Sequence, residues 1–96
     1  MSYDVTVGGE TFNYTSNMRP FFKQFGVYPP DWAGKTRHEV ARDIGKALER
    51  IQSLEPSLLR AGYDNPNGWG SVDTAVAFLR QVREACLVPD RVEVFW

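Results

Sequence analysis

A single cysteine, Cys86, and a single histidine, His38, stand in a chain of 96 residues. One thiol cannot close an internal disulfide, and one Cys with one His cannot supply the ligand set of a structural zinc site. No metal or other cofactor is therefore expected. Nor does any apolar run approach the roughly 18 residues that a membrane-spanning helix needs, so no membrane partner is expected. Charge of one sign is also missing: eleven Lys and Arg face twelve Asp and Glu, for a formal net charge of −1. That balance argues against a protein that neutralises many phosphates, and nucleic acid is not an expected partner. Met1-Ser2-Tyr3-Asp4-Val5 lacks the basic and then apolar pattern of an export signal, which leads us to expect a cytoplasmic location. With no repeat, low-complexity tract or linker, residues 1–96 read as one domain.

Aromatic surface is what the chain has in quantity: three Trp, four Tyr and six Phe. A domain of this size removes only about 60–65% of its unfolded surface from water. The rings must then supply much of the core. Near the N-terminus, Tyr3, Val5 and Val7 alternate with Asp4 and Thr6, and Phe12 and Tyr14 alternate with Thr11, Asn13 and Thr15. Gly8-Gly9 lies between the two runs. Glycine takes the positive φ of a two-residue turn without steric cost, so the pattern predicts a β-hairpin pairing Val7 with Glu10, Val5 with Phe12 and Tyr3 with Tyr14. A one-residue slip would turn the whole apolar set to water.

Helical spacing follows. Ser16 and Asn17 offer capping oxygens to a short helix with Met18, Phe21, Phe22 and Phe25 on one side, ending at Gly26. Residues 26–35 read as a loop carrying Tyr28 and Trp32. Thr36-Arg37-His38-Glu39 fits a capping box, and Val40, Ile44, Ala47, Leu48, Ile51 and Leu54 form the apolar stripe of the helix it opens. Gly45 interrupts that helix, which suggests a close backbone approach. Pro56 starts a shorter helix ending at Gly62. After a turn-rich loop, Ser71 caps a last helix whose buried face is Val72, Ala75, Val76, Leu79, Val82 and Cys86, ending near Val88. Val92 and Val94 alternate with Arg91 and Glu93 in a final strand. The expected fold class is α+β: an N-terminal β-hairpin and a C-terminal strand in a small antiparallel sheet, covered on one face by three or four helices.

Residues that carry chemistry are sparse. A Cys86–His38 nucleophilic pair would need contact and an ionised thiol, but Cys86 falls on an apolar helix face and His38 in a first helical turn, where the dipole disfavours imidazolium. Asp64-Asn65-Pro66-Asn67-Gly68 fails as a calcium loop, because Tyr63 would hold its first position and Thr74 its bidentate one. Gly68-Trp69-Gly70 lacks the third glycine and the preceding strand of a dinucleotide-binding turn. No catalytic or metal-ligating residue is assigned, and we expect no enzyme.

Aromatic side chains in loops remain, and two readings are open for Trp32 and Trp69. Either they fold inward as lids on a small core, or, with the polar Asn17, Asp64 and Asn67, they line a surface used in binding. Asn13-Tyr14-Thr15-Ser16-Asn17 after the hairpin, and Asn67-Gly68-Trp69-Gly70-Ser71 opening a helix with Phe78-Leu79, resemble a group of small uncharacterised proteins of actinobacterial phages and prophages. The resemblance spans nearly the whole chain. It implies a mobile-element origin and hence the host cytoplasm, and it brings no activity, cofactor or catalytic residue. The expected function is that of a phage-type accessory protein that binds a protein partner without chemistry of its own. The partner would be a host factor or, as a homodimer, a second copy of the chain. The alternative is a binder of a small molecule such as a nucleotide signal, using a pocket beside residues 67–71.

Overall fold

The computed structural model describes residues 2–7, 10–32, 34–64, 70–87 and 94–95, and the fold is α+β. Strands β1 (Ser2–Val7) and β2 (Glu10–Thr15) form an antiparallel hairpin with Tyr3 opposite Tyr14, Val5 opposite Phe12 and Val7 opposite Glu10. That is the expected register. It holds because Tyr3, Val5 and Val7 go into the core while Asp4, Thr11 and Asn13 stay in water. The wet side is tied crosswise: the Thr6 and Thr11 hydroxyls share a hydrogen bond of 3.0 Å, and Asn13 Nδ2 donates to Asp4 Oδ1 at 2.7 Å. The Gly8-Gly9 turn lies outside the described residues. Of the final strand expected from Arg91 and Val92 to Phe95 and Trp96, the described residues are Val94 and Phe95, paired antiparallel with Val7 and Thr6 on the side of β1 away from β2.

A tight 3-10 turn, Ser16–Met18, leads into α1 (Arg19–Gln24). The N-cap position is Met18, which makes no side-chain capping bond. The expected capping by Ser16 and Asn17 is thereby corrected, because the tighter turn leaves both residues upstream of the helix start. Gly26, at φ +72°, closes α1 in a left-handed turn from which the Val27 N–H bonds back to the Phe22 carbonyl at 2.9 Å. A second 3-10 turn, Pro29–Trp32, falls in what the sequence suggests is plain loop.

Helix α2 (Arg37–Gln52) opens on the expected capping box of Thr36 and Glu39. Helices α3 (Pro56–Tyr63) and α4 (Val72–Cys86) follow, the latter boxed by Ser71 and Thr74. Arg37, at the start of α2, donates from Nη1 to the Cys86 carbonyl at the end of α4 at 2.9 Å, so the two helices run antiparallel. Their seam buries Val40, Ile44, Ala47, Ala75, Leu79 and Val82. Phe22 is the aromatic hub, with its ring 6.0 Å from Tyr3, 5.7 Å from Tyr14 and 6.0 Å from Phe78.

Hairpin and last helix are joined by a stacked Tyr14–Phe78 pair, with centroids 5.2 Å apart, and by hydrogen bonds. The Tyr14 hydroxyl accepts from the Ser71 N–H at 3.3 Å and lies 3.1 Å from the Ser71 carbonyl and 2.7 Å from Thr74 Oγ1. Beside it, Gly70 has φ +134°, and a Cβ there would stand 2.9 Å from Met18 Cγ and 3.0 Å from Thr15 Cγ2. Only glycine lets the two segments approach this closely.

Candidate functional site

Between α2, α3 and α4 lies an open groove of about 390 Å³. Its origin is local. Helix α2 stops at Gln52 because Ser53 turns the chain, donating from its hydroxyl to the Arg50 carbonyl at 2.7 Å. Glu55 then caps the restart, accepting from the Ser57 N–H at 3.4 Å, and Pro56 takes a first-turn position where its missing N–H costs nothing. The resulting α3 is eight residues long and buries one hydrophobic side chain, Leu59. Its other anchor, Tyr63, packs at the far end against Phe21, with ring centroids 5.3 Å apart, and the space between α3 and the α2–α4 pair stays open. The floor left open is apolar, with Leu48 and Ile51 from α2, Leu59 from α3, and Val72 and Val76 from α4.

The rim carries an exposed leucine and charge. Leu54, on the turn, is 45% exposed and lines the groove, whereas Leu58, on α3, is 73% exposed and lies outside its lining. An apolar side chain this open at the edge of an apolar groove extends it into a patch of the kind that marks a contact surface. Arg60 forks onto Asp73, with Nε donating to Oδ2 at 3.3 Å and Nη2 to Oδ1 at 3.2 Å. The hydrogen bond and the charge of Asp73 raise the Arg60 pKa further above its already high value. Asp73 also sits in the first turn of α4, where the helix dipole favours a negative charge. Arg80, two turns along α4, lines the same groove and forms no ion pair among the described residues.

The residues singled out in the sequence are distributed otherwise. Trp32 does not line an exterior surface: it is 1% exposed, with its ring stacked at 6.5 Å over Phe78, and its indole N–H has no hydrogen-bond partner among the described residues. The Pro29–Trp32 turn carries the indole into the core, so the binding role expected for Trp32 gives way to the lid role. Asn17 is exposed, and its backbone N–H donates to Thr15 Oγ1 at 3.2 Å. Asp64 is exposed, but its Oδ1 accepts the Val72 N–H at 2.7 Å, closing an orphan donor at the start of α4. Asn67 and Trp69 lie outside the described residues. Leu54 and Arg80 of the groove carry no site signal in the sequence beyond a leucine placed two residues before a helix-restarting proline.

Cys86 is buried, and desolvation pushes its thiol up to about 11 even though the Arg37 charge pulls the other way. Such a thiol stays neutral near pH 7. His38 is exposed on the first turn of α2. Among the described residues, no group of three or more His, Cys, Asp and Glu is placed to hold a metal ion, and no helix is long and apolar enough to cross a membrane. No protein-family model, curated protein or solved structure matches the chain.

Proposed function

We propose that the protein acts by non-catalytic binding of a protein partner, with the α2–α3–α4 groove as its binding face. The observation that carries this reading is the continuity of the apolar floor with Leu54, which is 45% exposed at the groove's edge. Leaving a leucine half open forgoes part of the about 1.5–3 kcal/mol that full burial is worth, a cost that a partner's surface would recover. The resemblance to small proteins of actinobacterial phages and prophages supports an accessory role in a host cytoplasm, with a host factor or a second copy as partner. In the same reading the C-terminal segment completes the sheet as a third strand on β1, and the helices cover one face of that sheet.

Affinity capture from lysate of the expected host, with the wild type and a Leu54→Asp/Leu58→Asp double variant, tests the proposal. The wild type should retain a partner that the double variant loses at unchanged melting temperature. Equal recovery by both would place binding elsewhere. The groove volume of about 390 Å³ also falls within the range of small-molecule sites. A thermal-shift screen addresses that second reading, since a ligand at 100 times its Kd stabilises by about 2.7 kcal/mol.

A further inference from the structure

We infer that the occupant of the groove is an amphipathic helix bearing a carboxylate that lies over Arg80, an inference that rests on the groove being a binding face. Along α4 the groove runs from Val72 to Arg80, a rise of about 12 Å at 1.5 Å per residue. This matches two turns of a helix laid alongside, which would present apolar side chains at i, i+3 or i+4, and i+7. The floor of Leu48, Leu59 and Val76 suits such side chains.

A helix fits better than an extended peptide for a reason of backbone chemistry. All three walls are helical, and outside the turn at Leu54 and the first turns of α3 and α4 their N–H groups along the groove are bonded within their own helices. An extended segment pressed onto this floor would bury N–H and C=O groups with nothing to receive them, whereas a helix arrives with its own bonds made. Charge then selects among helices. Asp73 is already matched by Arg60, while Arg80 makes no ion pair among the described residues. A Lys or Arg of the occupant placed there meets a like charge. An Asp or Glu forms a charge-assisted hydrogen bond.

The test is selection from a display library of helical peptides, each about 20 residues long so that the helix is populated. The library keeps a two-turn leucine face and randomises the flanking positions. Wild-type protein should enrich Asp or Glu at one flanking position. Amide shifts of labelled protein should then map the selected peptide to Leu48, Val76 and Arg80. Changing that carboxylate to Lys should weaken binding about tenfold, and an Arg80→Glu bait should reverse the preference. Peptides that map to the groove with no preference for Asp or Glu would overturn this inference and leave the groove reading standing. Selected peptides that map elsewhere, or no selected peptide at all, would overturn both.

Discussion

The two sides of this molecule are built on opposite terms. Around Phe22, the hairpin, α1, the Pro29–Trp32 turn and α4 interlock through rings in contact on every side, and Tyr3, Phe21, Phe22, Trp32 and Phe78 are all buried. Around α3 a single leucine is buried, Tyr63 at its end is half-buried against Phe21 and Phe25, and Leu54 and Leu58 face water. The first arrangement supplies cooperativity, because each ring depends on its neighbours. The second supplies accessible apolar surface, which a molecule this small can retain only where its stability does not depend on closing it.

The sharpest way to break the comparison is Trp32→Ala. Removing a buried indole between turn and α4 should destabilise the fold by about 3–5 kcal/mol in denaturant unfolding. A loss below 1 kcal/mol would mean that the ring cluster is not the stabilising half. Gly70→Ala probes the joint between hairpin and α4. A Cβ forced to within 2.9 Å of Met18 Cγ, at a φ of +134°, should cost about 2–4 kcal/mol. Gly45→Ala goes the other way. Its Cβ would meet Arg83 Nε at 3.5 Å, an ordinary contact, so the change should stabilise by about 0.5–1 kcal/mol. Smallest of all is Leu58→Asp. Within about 0.5 kcal/mol the melting curve should be unchanged, because the side chain is exposed and outside the lining of the groove.

The hairpin was legible because a period of two and a two-residue turn leave one register that buries Tyr3, Val5 and Val7 together. The cap at Thr36 was legible because its four residues suffice to make it. Gly45 was half legible: the expected close neighbour exists, but it is the Arg83 side chain and not a backbone. The 3-10 turn that buries Trp32 was not legible, since Pro29-Pro30 signals a break in helix or strand without giving the direction of the next side chain. Leu54 was read into the α2 stripe, and it is exposed because Ser53 ends the helix first. The groove had no local signature, as its floor comes from Leu48, Leu59 and Val76 on three elements whose mutual placement no periodicity encodes.

The bond between the Tyr14 hydroxyl and the Ser71 backbone spans 57 residues of chain. During synthesis the hairpin leaves the ribosome before α4, and its ring-bearing side waits, uncovered by that helix, until the intervening chain has followed. Loop closure over that distance is entropically costly and rewarded only once α4 forms, so the hairpin is secured late relative to its own emergence. Its protection before then falls to low concentration or to chaperones.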